Sequence, residues 1–240
     1  MQGADWRKLA KLDDLRPVLD RSDTLGAKNR IVDLIHRRAL ANQLPTESSG
    51  VTLDFGSGVG RLSGWLAERS GRVIGLEVTP EMVAIARRRV TSPNVSWALF
   101  DGDRIPVASG SVRRVLSVYV LQHVIGGDRL RSLAFELARV VTPGGRLVMI
   151  EQVRQDQPKE LDGLEQRLAS TYTSAFEAAG FRAEAAEPIR VPSRIATALS
   201  KVGMSEALLL RVSDASLAWA RWTGRLGHAD YLMTFDKPET

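Results

Sequence analysis

LDFGSGVGRLSGWLAERSGRVIGLEVTPEM, residues 53–82, decides the fold. The apolar run VTLDF (51–55) reads as a short buried strand, and Gly56, Gly58 and Gly60 as the tight turn that leaves it. RLSGWLAERS (61–70) then reads as a helix closed by Gly71, and RVIGLEV (72–78) as a second strand. Strand, glycine-rich turn, helix and strand make a nucleotide-binding unit, with the ligand at the turn. A dinucleotide fingerprint needs a small third residue so that helix and strand can pack closely, and Arg61 stands there instead. A P-loop needs a Gly-Lys-Ser/Thr, which does not follow.

The alternation continues beyond this stretch. PEMVAIARRRV (80–90) is a helix that Pro80 can open, because its missing N–H has no helical partner there. VSWALF (95–100), RRVLSVYV (113–120) and RLVMIEQ (146–152) read as strands three to five, the last entered through a TPGG turn. Between the fourth and fifth, Leu130, Leu133, Leu137 and Val140 share one face of a helix over 128–141. Strands separated by such helices imply a parallel sheet with right-handed crossovers, and their apolar runs imply burial on both faces.

Outside this core, helices are expected over 5–19 and 27–43, with PTESSG (45–50) as a loop. After the polar stretch QVRQDQPKE comes a helix over 161–179, ended by Gly180. FRAEAAEPI (181–189) reads as a sixth strand, 193–202 and 205–222 as helices, and DYLMTFD (230–236) as the last strand. The expectation is one α/β domain over 1–240: a doubly wound, mostly parallel seven-stranded, Rossmann-like sheet. N-terminal helices occupy 1–45, a cofactor-binding core 51–151, and a lid-like helical insertion 191–228.

Composition excludes several chemistries. The chain has no cysteine, hence no disulfide, thiolate metal site or thiol nucleophile. No apolar run approaches the roughly 18 residues of a membrane span. MQGADWRKLAKLDDL has no uninterrupted apolar stretch after its first charges, so a signal peptide is not expected and a cytoplasmic location is. The net charge of +5 suggests a nucleic-acid partner, but basic residues alternate with acids. The tight run Arg87-Arg88-Arg89 closes a helix, where cations complement the dipole. Nucleic acid is disfavoured as a partner on these grounds.

The turn narrows the ligand further. Asp54, two residues before the first glycine, offers a carboxylate, which receives a pyrophosphate poorly and a cationic amine well. A phosphate-free, ammonium-bearing nucleoside fits, and S-adenosylmethionine is such a molecule. Glu77 ends the second strand, where an acid can accept both ribose hydroxyl hydrogens. Asp54, Glu77 and Asp101 thus stand at three successive strand ends, where open α/β sheets bind ligands.

Together, LDFGSGVG, VIGLEVTPEM, FDGDRIPVASGSV, SVYVLQHV and LARVVTPGGRLVMIE stand in an order that resembles the class I S-adenosylmethionine-dependent methyltransferases of the small, ubiquinone-methyltransferase-like type. The resemblance covers residues 51–150. It implies that backbone around Gly56, Ser57, Gly58 and Gly60 passes the methionine part, that Glu77 and Val78 hold the ribose, and that Ser117 belongs to the cofactor wall. It also implies that Asp101 with the Gly102 N–H reads the adenine, although Asp103 offers a second carboxylate. One departure is Val112-Arg113, where the family commonly has Phe-Asp.

Such chemistry mainly requires alignment of the acceptor with the methyl group, and for a hydroxyl acceptor also a proton acceptor. His123, just past strand four, is the candidate base, with packing as its alternative role. Tyr119 and Glu151 are candidates to orient or deprotonate the acceptor. A metal is not expected, since the ends of strands four and five offer Tyr119 and a single Glu151 and no carboxylate cluster. The Asn/Asp-Pro-Pro-Tyr/Phe/Trp signature of many amino-group methyltransferases is absent, which favours a hydroxyl acceptor on a small molecule. DTLGAKNRIVDLIHRRAL (23–40) resembles segments of glycan and natural-product methyltransferases, which implies a saccharide or secondary-metabolite acceptor. Trp219 and Trp222 share a helix face and can stack on a ring or serve packing. An RNA methyltransferase and a non-catalytic partner subunit are the rival readings, and a homodimer is left open.

Overall fold

The computed structural model describes residues 6–12, 15, 18–20, 22–161, 163–202 and 204–239. Its elements run α1 (Trp6–Leu9), α2 (Ala27–Gln43), β1 (Glu47–Phe55), α3 (Ser63–Ala67), β2 (Ser70–Glu77), α4 (Pro80–Arg89), β3 (Val95–Leu99), β4 (Val112–Val118) and α5 (Gly127–Val140). They continue as β5 (Val141–Arg154), β6 (Lys159–Leu161), β7 (Leu164–Gln166), α6 (Ala169–Ala178), β8 (Arg182–Arg190), α7 (Arg194–Lys201), α8 (Glu206–Trp222) and β9 (His228–Asp236). The seven-stranded sheet has the order β3-β2-β1-β4-β5-β9-β8. Pairings from β3 to β5 are parallel, and β9 alone runs against its neighbours. This is the doubly wound, mostly parallel architecture read from the sequence.

Alternation along the central strands builds a core on each face. Val115, Leu147 and Met149 join Leu133, Leu137, Tyr172 and Phe176 of α5 and α6 on one side. Leu116, Val148 and Ile150 join Leu40, Leu62, Trp65 and Leu66 on the other. Successive strand residues thus serve opposite layers, as a sheet covered on both faces requires.

Several expected boundaries move. The helix expected over 5–19 is confined to Trp6–Leu9, with residues 10–12 in a turn; residues 5, 13, 14, 16 and 17 lie outside the described residues. PTESSG is not all loop: Glu47–Gly50 extend β1 beyond a register shift, with Gly50 at φ +90°. The helix expected over 61–70 shortens to Ser63–Ala67, and Gly71 lies inside β2 instead of capping it. A Cβ at Gly71 would stand 2.5 Å from the Ser48 carbonyl oxygen, so that glycine permits close strand approach.

TPGG is absorbed into β5, where the register shifts by a bulge against β4. The helix expected from 161 begins only at Ala169, because Lys159–Leu161 and Leu164–Gln166 pair as the antiparallel strands β6 and β7. The Val112-Arg113 departure has a structural use, since the Arg113 guanidinium donates to the Gly144 carbonyl at 2.5 Å.

Candidate active site

At the carboxyl ends of the parallel strands lies a cavity of about 390 Å³, lined by Gly56, Gly58, Glu77 and Val78 on the cofactor-turn side. The turn is hooked onto β2: the N–H groups of Gly56 and Ser57 both donate to the Leu76 carbonyl, at 2.8 and 3.0 Å. Gly58 N–H donates to Glu77 Oε2 at 3.0 Å, and Gly60 N–H to the Ser57 carbonyl at 3.0 Å. A phosphate-binding turn works by aiming such donors at its ligand. Here four of them are committed within the protein.

Gly56 and Gly58 have φ of +72° and +54°, which favour glycine, and a Cβ on either would stand 2.3 Å from Val120 or 2.5 Å from Val18. Gly60 does not line the cavity; it lets Trp97 and Val90 approach the turn to 3.0 Å of where a Cβ would be.

Glu77 is buried, and its carboxylate accepts N–H from Gly58, Val78 and Thr79 at 2.9–3.0 Å. Burial pushes its pKa up, against the pull of these donors. The Thr79 hydroxyl serves the Glu77 carboxylate as well.

Asp54 is buried behind the turn, accepting from Ser63 Oγ at 2.5 Å, and does not line the cavity. Burial pushes its pKa up to about 6. Ser57 and Ser117 are buried too, their hydroxyl oxygens without a hydrogen-bond partner among the described residues, and neither lines the cavity. Asp101 is exposed, its Oδ1 accepting from the N–H groups of Asp103 and Arg104. It and Gly102 follow β3, outside the cavity wall; Asp103 is exposed, 3.8 Å from Arg129.

On the facing wall stand Tyr119, Gln122 and His123. His123 Nδ1 lies 3.0 Å from the Gly163 carbonyl, so Nδ1 carries the proton and Nε2 keeps its lone pair. Burial pushes its pKa down, and Trp6 packs edge-on against the ring at 4.9 Å. Tyr119 has φ +60°, rare for a bulky residue, which ends β4 and brings the ring to the cavity. Burial raises its phenol pKa, which disfavours the phenolate.

Glu151 is a correction. It is fully buried, outside the cavity wall, and accepts N–H from Val120, Leu121 and Gln122 at 3.0, 2.8 and 3.2 Å. It anchors the helical turn that carries His123. Strand periodicity explains the miss: neighbours point to opposite faces, and Gln152 is the residue that lines the cavity.

The sequence reading missed Arg190, Gln122, Gln152 and Met82 on the wall. It also missed the N-terminal cover, where Trp6, Leu9, Val18 and Leu19 line the same space. Asn29 ties down that cover by bonding both main-chain polar groups of Asp20 at 3.0 Å. Among the described residues, none of 191–228 lines the cavity. There α8 packs Leu209 against Ile31 and Ile35 of α2, while Trp219 and Trp222 are 55% and 84% exposed. Among the described residues, no group of three or more His, Asp or Glu side chains is placed to hold a metal, and no helix is long and apolar enough to cross a membrane.

Residues 53–149 match the family described as "Methyltransferase domain". A demethylmenaquinone methyltransferase of Tropheryma whipplei (strain Twist) is 34% identical over 116 residues, 48% of this chain and 47% of that protein. The chain spans about half the length of that relative. Among solved structures, the [4+2]-cyclase SpnF aligns with TM-score 0.63 at 23% identity, over 88% of this chain and 82% of that one. An S-adenosylmethionine-dependent methyltransferase from Mesorhizobium loti aligns with TM-score 0.62 at 17% identity, over 86% and 100%. At such identities the structural likeness speaks to the fold alone, and the fold does not fix the reaction.

Proposed function

We propose, from the class I S-adenosylmethionine-dependent methyltransferase domain that this chain carries over residues 53–149, that the protein transfers a methyl group to a hydroxyl of a small molecule. The observation that carries this reading is one cavity with two equipped walls. One holds Glu77 beside a turn whose donors are already engaged; the other holds His123 with Nε2 open. The sulfonium of the bound cofactor supplies an electrophilic methyl group.

The chain's own residues then bind, orient and take up a proton. Glu77 receives the ribose, and Val78 with Met82 offers an apolar wall to the base. Gly56 and Gly58, without side chains, admit the methionine part. Asp54 supports the turn from behind and adds negative potential toward the ammonium. Asp101 and Gly102, at the next strand end, are the adenine-reading pair in this proposal. His123 Nε2 accepts the hydroxyl proton, and the positioning of both reactants supplies the rest of the rate.

A saccharide or secondary-metabolite hydroxyl is the acceptor class proposed. The RNA alternative finds little support in the arginines at the opposite end of the sheet. Arg113 and Arg114 donate to carbonyls of Gly144 and Pro45, and Arg146 to Asp236. Calorimetry with S-adenosylhomocysteine, followed by a methyl-transfer screen across sugars, phenols and RNA, tests the reading. Turnover of a small hydroxyl compound is expected. Cofactor binding without transfer to any of them would favour a partner subunit.

A further inference from the structure

Three residues outside every motif stand on one row of the sheet. Gln152 of β5 is paired with Asp230 of β9, and Asp230 with Arg190 of β8. Directly opposed residues of neighbouring strands project to the same face, so these side chains stand side by side. Gln152 and Arg190 line the cavity, and Asp230 is buried between them.

The row is held from behind. Arg190 Nε donates to Asp230 Oδ2, and His36 Nε2 lies 3.5 Å from the same oxygen. His36 is fully buried, which pushes its pKa down to about 4 and keeps it neutral. Arg61 donates to its Nδ1 at 3.4 Å, so the ring proton is on Nε2, facing Asp230. Asp230 thereby fixes the Arg190 guanidinium, whose Nη2 reaches the Tyr119 hydroxyl at 3.4 Å.

What remains open on this wall is mostly donors. A guanidinium has five N–H groups, and only the two bonds named have acceptors among the described residues. Gln152 Oε1 accepts from Gln166 at 2.8 Å, which leaves the Gln152 amide N–H groups without an acceptor among those residues. Gln122 Oε1, buried on the same cavity's wall, lacks a donor among the described residues. Gln152 and Arg190 line the cavity, and a charged donor there is met best by an anionic oxygen.

We infer that Arg190, Gln152 and Tyr119 form the acceptor subsite, and that the methyl acceptor carries, apart from the hydroxyl that is methylated, an acidic oxygen such as a carboxylate, which Arg190 holds as its anion. This rests on the methyl-transfer reading of the cavity and narrows it. A neutral sugar hydroxyl gives and takes hydrogen bonds alike and has no need of a buried guanidinium. Arg190 is a specificity-determining residue, and His123 is the proton acceptor on the wall across from Glu77.

Benzoate and benzamide, alike in shape and different in charge, are the probes, titrated by calorimetry into the full chain with and without S-adenosylhomocysteine. Wild type should take benzoate about tenfold or more tightly than benzamide, as a charge-assisted pair against a neutral one. Arg190→Gln combined with Asp230→Asn, which keeps the row neutral, should erase that preference. Arg190→Lys should keep part of it, and S-adenosylhomocysteine affinity should stay within about threefold throughout, because the row adjoins the acceptor end alone. No preference in wild type, or a preference surviving in the double variant, would overturn the subsite. A chain that prefers benzoate through Arg190 yet ignores S-adenosylhomocysteine would overturn the methyltransferase reading and leave the subsite standing.

Discussion

His123 Nδ1 and the Gly163 carbonyl are 3.0 Å apart, and this one bond fixes which imidazole nitrogen is basic. Replacement by Asn keeps a polar side chain and removes the base. His123→Asn should lower kcat by about 10²–10⁴-fold, the ordinary worth of a positioned base, with S-adenosylhomocysteine affinity unchanged. Burial lowers the imidazole pKa below its usual 6.5, so the neutral, active form persists on the acid side of that value. Wild-type kcat/KM should therefore hold its plateau through pH 6.5 and fall only below it, and the variant should lack that limb. A variant with wild-type kcat would reduce His123 to a packing partner of Trp6.

Glu77, the proposed ribose acceptor, also sets the shape of the turn. Its carboxylate organises the N–H groups of Gly58, Val78 and Thr79. Glu77→Ala leaves these donors without their acceptor, at about 1–3 kcal/mol for each that stays buried. The expected result is loss of S-adenosylhomocysteine binding by more than about tenfold, the equivalent of 1.4 kcal/mol, with a lower melting temperature. Calorimetry and thermal unfolding on one preparation check both. Unchanged affinity would remove Glu77 from the ribose site.

Much of this arrangement was legible because local chemistry specified it. Pro80 at the start of α4 and the arginines at its end mark that helix in the sequence, and the structure keeps both signals. The glycine turn was legible for the same reason, since its positive φ values admit little else. The pair β6 and β7 was hidden because its short strands carry no apolar alternation, and their residues are mostly exposed or half-buried. Arg190 and Gln152 were hidden for a different reason: their meaning depends on strands that pair across 40 and more residues of chain. Glu151 shows the limit most sharply, because a strand-end acid looks alike whichever face it takes.

Gly56 tests how tightly the turn is built. An alanine there would hold a left-handed φ and put its Cβ 2.3 Å from Val120 Cγ2. Gly56→Ala should destabilise the fold by about 1–3 kcal/mol and weaken cofactor binding. Adding Val120→Ala opens the steric part and leaves the backbone part, so the double variant should recover stability only partially. Chemical denaturation of the three proteins separates the contributions. Full recovery would mean that φ at this position carries no cost.

Trp219 and Trp222 distinguish a lid from an outer surface. Both are largely exposed and lie on a helix with no residue in the cavity wall. Trp219→Ser with Trp222→Ser should leave kcat and KM for a small acceptor within about twofold, as expected of sites beyond coupling distance. A rise in acceptor KM of tenfold or more would bring α8 into the acceptor site.

Glu151 carries a prediction about pH whose sign follows from its burial. Its pKa is pushed from 4.5 up to about 7 by desolvation, against the three N–H groups that favour its charge. Between those values the folded chain holds a proton that the unfolded chain has released, so this residue's contribution to stability falls as pH rises from about 4.5 to 7. Glu151→Gln removes the titration and turns an amide toward one of the three backbone donors, which destabilises the fold at every pH. The stability gap between wild type and variant should be widest near pH 4.5 and narrow toward pH 7. Urea unfolding of both proteins across that range measures it. A gap that widens with pH would mean that the backbone donors dominate and hold Glu151 ionised. Either way, the damage should appear first in His123, because the turn that carries it is anchored to this carboxylate.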